Sequence, residues 1–243
     1  MTTLFFIPLL LFVVAFLYAS VGHGGASGYI AVLTIFGISM QQYRPVVLLM
    51  NTIIASIAFI QFYRAGYFKW QLAWPFLLSS IPMAYIGSQF KTSQQVYNLV
   101  LGIALLFPVL RLLIHSFKEQ GPAKPLAIPA ALAWGAVIGI AAGFLNIGGG
   151  IFLSPVIILM AWGNTKEAAA VSSLFIVCNS LAGLAAIKFG SIQLSPAAYG
   201  WIGAAVTGGM LGAYLGSHRF NLATVRYILA MVLLIASVKL IFS

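Results

Sequence analysis

Acidic residues are nearly missing from this 243-residue chain: Glu119 and Glu167 are its carboxylates, set against 12 lysines and arginines. A proton relay built on buried carboxylates, or an aspartyl protease inside a membrane, has no material here. A buried cation likewise finds almost no acidic partner. Cysteine occurs once, at Cys178, which excludes an internal disulfide and a cysteine metal cluster. Charged residues of both signs make up 6% of the chain, too few to clothe a soluble domain of this length. Short segments of alternating polarity, which a membrane barrel requires, do not appear either.

What the chain has is apolar sequence. It is 62% hydrophobic with a mean hydropathy of +1.07, and its runs reach the ~18 residues that span a bilayer as a helix. The expected class is an all-α polytopic membrane protein. The formal charge of +10 does not point to nucleic acid, because the basic residues stand singly between apolar runs. They read as topology signals and lipid-headgroup contacts, and as a positive interior that attracts an anion. The opening "MTTLFFIPLLLFVVAFLYAS" carries no Lys or Arg ahead of its apolar stretch, so it reads as the first membrane segment and not as a signal peptide.

The runs are Leu4–Val21, a short Tyr29–Ile38, Val46–Phe62, Leu72–Gly87 and Val96–Ile114, then the polar linker "HSFKEQGPAKP". After it come Ile128–Leu145, a short Ile151–Ala161, Ala168–Ile187, Leu194–Gly216 and Leu222–Phe242. The second set answers the first at a near-constant offset. Gly24-Gly25 matches Gly149-Gly150, "YRAGYF" matches "IKFGSI", "GSQF" matches "GSHRF", and "VYNLVLGI" matches "RYILAMVL". The chain thus reads as an internal duplication, with halves at 1–114 and 128–243 joined by a cytoplasmic linker at 115–127. Each half holds about four long transmembrane helices, the first broken at a glycine knot and followed by a short helix. If each short run folds back, Arg64, Lys69, Arg111, Lys118, Lys124, Lys166, Arg219 and Arg226 share one side. Arg44, Lys91, Lys188 and Lys239 then share the other. A single crossing divides the cations almost evenly, so the positive-inside rule leans towards inverted repeats.

The knots are Gly22–Gly25, "GHGG", and Asn146–Gly150, "NIGGG". Unpaired backbone at membrane depth survives only inside protein or along a water-filled cavity. The helix restarting after each knot points free amides back at it, a partial positive charge suited to an anion. The expectation is one site made from two half-helices facing each other near mid-depth. Its candidate residues are His23, Gly24, Gly25, Asn146, Gly148, Gly149 and Gly150. Asn51, Ser172, Ser173 and Asn179, in the segments after the knots, either join the site or hydrogen-bond between helices. Gly135, Gly139 and Gly143, and Gly208, Gly212 and Gly216, recur every fourth residue and read as helix-packing positions. The implied ligand is a small anion, with H+ or Na+ as coupling ion and no cofactor. Lipid is a partner, and a homo-oligomer is compatible with all of this.

Two other readings compete. Gly25-Ala26-Ser27-Gly28 fits the GxSG nucleophile motif of rhomboid-type intramembrane proteases, with His218 as a base. An anion channel would also use such a cavity. The stretch "AAGFLNIGGGIFLSPVIILMAWGNTKEAAAVSSLF" and, in the first half, "YASVGHGGASGYIAVLTIFGISMQQYRPVVLLMN" resemble the TauE/SafE family, also called the toluene sulfonate uptake permeases. The resemblance runs over nearly the whole chain. It implies a multi-pass transporter of the bacterial inner membrane carrying small anions, often sulfur-containing: sulfite, sulfonates or sulfoacetate-like compounds. Under that resemblance the knot residues are the substrate contacts. His23 departs from the all-glycine form of the second knot, which breaks the symmetry of the two half-sites.

Overall fold

A computed structural model describes residues 2–38, 40–90, 92–114, 123–187 and 195–219, with 230, 234, 237, 238 and 241. Among these residues the chain is helical without strands. The elements are α1 (Thr2–Ser20), α2 (Ala26–Ile35), α3 (Met40–Arg64), α4 (Trp70–Gly87), α5 (Gln94–Ile114), α6 (Ile128–Leu145), α7 (Gly150–Leu159), α8 (Thr165–Ala186) and α9 (Pro196–His218). The segments within α3, α6 and α8 are long and apolar enough to cross a membrane on length and composition. Helix boundaries follow the apolar runs closely. Residues 115–122 of the linker, with Glu119, and most of the run Leu222–Phe242 lie outside the described residues, as do Lys91, Lys188 and Lys239.

Local chemistry sets the ends. Asn164 caps α8 by accepting from the amides of Lys166 and Glu167, both at 3.0 Å, while Glu167 Oε2 accepts from the Asn164 amide at 2.9 Å. This reciprocal arrangement satisfies amides that the first turn would otherwise leave unpaired. Glu167 Oε1 also pairs with Lys69 Nζ at 2.6 Å, tying the start of α8 to the start of α4. Lys166 Nζ donates to Tyr67 Oη and to the Ser217 carbonyl at the end of α9. One end of the bundle therefore gathers Arg64, Lys69, Lys166 and Arg219, and Lys124 joins them through the hydrogen bond that its main-chain N–H donates to the Ala161 carbonyl.

That last bond decides the path of the short helix. Residues 124–127 reach at most ~14 Å when extended. If α6 and α7, of 18 and 10 residues, ran in one direction, Ala161 would lie ~40 Å from the start of α6. The Lys124 amide nevertheless meets the Ala161 carbonyl at 2.8 Å. α7 therefore folds back to the end from which α6 set out.

The glycine stripes pack as their spacing suggests. A Cβ on Gly208, Gly212 or Gly216 of α9 would overlap the carbonyl oxygens of Phe12, Phe16 and Ser20 of α1 in turn. Gly135, Gly139 and Gly143 of α6 stand likewise against Phe76, Ser80 and Ala84 of α4. Both pairs are parallel, and both join one half of the chain to the other. At the centre α3 and α8 run antiparallel. Leu48 lies by Gly183, Asn51 bonds Ser180, and Phe62 clusters with Ala169 and Ala170.

Candidate functional site

Both knots are built on the same local plan. α1 and α6 are each followed by a residue in the left-handed region, Gly22 at φ 78° and Asn146 at φ 57°. The amide of the next residue reaches back to a carbonyl five positions earlier: His23 to Tyr18 at 2.8 Å and Ile147 to Ala142 at 3.2 Å. This is how helices commonly stop when glycine or asparagine is available. α2 and α7 then start from glycine caps, Gly25 at φ 99° and Gly149 at φ 79°. A side chain with a Cβ is strained at such angles, so these two glycines are demanded by the turn itself. The Tyr29 hydroxyl steadies the first knot by donating to the Gly24 carbonyl at 2.7 Å.

The knots touch. Nε2 of His23 donates to the Gly150 carbonyl at 3.1 Å and lies 3.5 Å from Ser154 Oγ. Ser154 in turn donates to Ser172 at 2.8 Å. Asn51, on α3, is the second link. Its Oδ1 accepts from the Ala26 amide, the first of α2, at 3.0 Å, and its Nδ2 donates to Ser180 at 2.8 Å. Asn51 also lies against Gly24 and Gly148, where a Cβ would strike its side chain. Asn179 reaches the Gly148 carbonyl at 3.5 Å and accepts from Ser80 at 3.0 Å. His23, Gly24, Asn51, Gly148, Gly150, Ser172 and Asn179 thus form one buried, connected group at the crossing of α3 and α8, while Gly25 lies beside it against Tyr29 of its own helix.

The remaining candidates stand aside from it. Gly149 faces Ala142, Phe175 and Ile138. Ser173 bonds the Ala170 carbonyl of its own helix. Asn146 turns the other way, where its Oδ1 accepts from Arg44 Nε at 2.6 Å. Ser27 pairs with Tyr18 at 2.8 Å, and His218 pairs with Ser217 and stacks on Tyr214 at the end of α9. The hydrogen bonds of the GxSG serine and of its suggested base therefore go elsewhere.

The group is fully enclosed: Asn51 is 0% exposed and His23 8%. The two restarted helices run in opposite directions and overlap along the central pair. Gly22 packs at Ala169 and Gly148 at Ser180, so the knots are staggered along α8. Side chains on the neighbouring helices hold the carbonyls and amides that the knots release. Nothing in the sequence marked Arg44, Tyr18, Tyr29, Ser80 or Ser154 as partners. Arg44 read as a topology mark, and the tyrosines and serines were indistinguishable from packing residues within apolar helices.

The sulfite exporter TauE/SafE family model matches residues 7–240. The chain is 33% identical over 236 residues to the probable membrane transporter protein y4hK of Sinorhizobium fredii, a match covering 95% of each chain. No solved structure matches. A family model that spans the knots, both central helices and almost everything between the termini, with a full-length relative beside it, means that the chain belongs to the sulfite exporter TauE/SafE family of membrane transporters.

Proposed function

We propose that this protein is a secondary transporter of a small, sulfur-containing oxyanion such as sulfite or an organosulfonate. It works by alternating access in the bacterial inner membrane, and the anion binds where the N-termini of α2 and α7 meet. The observation that carries this reading is Asn51. Its neutral oxygen sits on the first amide of a helix that starts inside the bundle, the position an anion oxygen would take at a helix N-terminus. The enclosed group contains His23 and no carboxylate, so no formal negative charge in it opposes an anion.

The two halves, 1–114 and 128–243, are inverted repeats on this proposal. Exchanging α1 with α6, α2 with α7, α3 with α8 and α4 with α9 converts the α1–α9 contact into α6–α4, and α3–α9 into α8–α4, and all four pairs occur. The equivalent helices α3 and α8 run in opposite directions, as inversion requires. Arg64, Lys69, Lys124, Lys166 and Arg219 share the end that the positive-inside rule assigns to the cytoplasm. Paired broken helices between inverted repeats are a recurring design for carriers. Coupling to H+ or Na+ would run through His23 or through the freed carbonyls.

The test is counterflow in proteoliposomes preloaded with unlabelled sulfite, methanesulfonate or sulfoacetate. Transient accumulation of external label against its gradient is expected. Uptake that only equilibrates would make the protein a channel, and no uptake of any of these anions would end the proposal.

A further inference from the structure

At the end opposite Lys69 and Glu167, Arg44 stands near the start of α3, half-buried among helix ends. Its Nε donates to Asn146 Oδ1 and its Nη2 to the Ser88 carbonyl, each at 2.6 Å. Nε and Nη2 form one edge of the guanidinium, the fork that takes two oxygens of a carboxylate, sulfonate or phosphate side by side. Here two neutral oxygens from separate elements fill that fork: an amide oxygen of the second knot and a main-chain oxygen at the end of α4. Among the described residues the one carboxylate is Glu167, which is committed to Lys69. The carbonyl ends of α4 and α6 give Arg44 partial negative charge. Those ends have other donors as well. Ser88 Oγ donates to the Gly143 carbonyl at 3.2 Å, Tyr97 Oη to Leu145 at 2.6 Å and Asn146 Nδ2 to Phe144 at 3.2 Å. The α6 end is thus capped without Arg44.

We propose that the Arg44 fork is the docking point for the transported oxyanion at this end of the protein, with Asn146 Oδ1 and the Ser88 carbonyl as placeholders that two anion oxygens displace. The inference rests on the anion-transport reading. An oxyanion brings the same two-oxygen geometry with the charge that the placeholders lack. Releasing Asn146 also frees the first residue of the second knot, so docking at Arg44 loosens the turn that starts α7. A monatomic anion such as chloride does not fill the fork and is discriminated against.

The experiment uses full-length protein in a phosphate-free glycoside detergent, with thermal unfolding and counterflow read against methanesulfonate, sulfite, acetate and chloride. Wild-type protein is expected to be stabilised saturably by the oxyanions and not by chloride. Arg44→Gln should weaken that binding by at least about tenfold, the effect of losing charge-assisted hydrogen bonds. Arg44→Lys, which keeps the charge and loses the fork, should recover only part of it. A purely structural Arg44 would lower the melting temperature in these variants and leave the oxyanion affinity unchanged. Asn146→Asp is the second variant. It places a carboxylate on the fork at a position whose left-handed backbone Asp accepts, so it should fold, raise the melting temperature and abolish oxyanion stabilisation. Wild-type oxyanion affinity in Arg44→Gln or Asn146→Asp overturns the proposal and leaves the transport reading standing. No oxyanion response in wild-type protein overturns both. If short-chain phosphatidylglycerol stabilises the protein through Arg44 and the soluble oxyanions do not, the fork is a lipid-headgroup site and the proposal fails.

Discussion

Replacing Asn51 separates a packing role from a ligand-binding one. Asn51→Ala removes the acceptor of the Ala26 amide and the donor to Ser180 in a place with no exposure. A buried amide left unpaired costs about 1–3 kcal/mol. Interhelical side-chain bonds in membranes average nearer ~0.6 kcal/mol, so the Ser180 bond adds little. A loss of about 2–3 kcal/mol lowers the melting temperature of a chain this size by roughly 5–10 °C. Asn51→Asp behaves differently if the start of α2 receives anions. The carboxylate keeps the bond from Ala26, gains ~0.3–1 kcal/mol from the helix end, and the Ser180 hydroxyl rotates to donate to it, which offsets part of the several kcal/mol that burying a charge costs. Asp should therefore be at least as damaging as Ala to stability, and block transport more completely, because it occupies the anion position. Both quantities are measurable, the first by intrinsic fluorescence from the five tryptophans and the second by counterflow. An Asp variant as stable as wild type, or one that transports like wild type, would refute the reasoning.

Gly149→Val puts a β-branched residue at φ 79° against Ala142, Phe175 and Ile138; the expected result is aggregated protein on size-exclusion chromatography as well as no transport, and a monodisperse variant with an unchanged melting temperature would contradict it. Gly203, with open space around its Cα, and Gly212, against the Phe16 carbonyl, should respond oppositely to alanine. Gly203→Ala should gain up to ~1 kcal/mol, whereas Gly212→Ala should lose about 1–3 kcal/mol, both read from thermal unfolding. Glu167→Gln keeps an acceptor for the Asn164 amide and loses only the partly exposed pair with Lys69, so the loss should stay below ~1 kcal/mol and disappear in high salt. Glu167→Ala loses the cap as well, about 1 kcal/mol more at any salt concentration.

The helices were legible because glycine, proline and polar residues punctuate long apolar runs; α6 begins and ends where its run does. The fold-back of α7 was not, since charge counts alone hardly separate the two paths, and it shows only in the long-range hydrogen bond from the Lys124 amide to the Ala161 carbonyl. The knots stood out as consecutive glycines in apolar sequence. Which neighbours hold them did not, because helices that are apolar on every side give no periodic sign of the face turned inward. Arg44 and Asn146 lie 102 positions apart, and nothing local to either residue announces the other. Asn51 stood out as a lone amide in an apolar run, but its bond to the start of α2 needed the packed arrangement.

The seams between α1 and α9 and between α4 and α6 each join helices from different halves. During synthesis α1 emerges well before α9, the last of the described helices, and its row of carbonyls must wait in lipid until that helix arrives. A ribosome stalled within the linker would release a piece with both seams unzipped, open to membrane proteases. Two separately translated halves inserted into one bilayer would carry both faces of each seam, and so the complementary surfaces by which they could find each other.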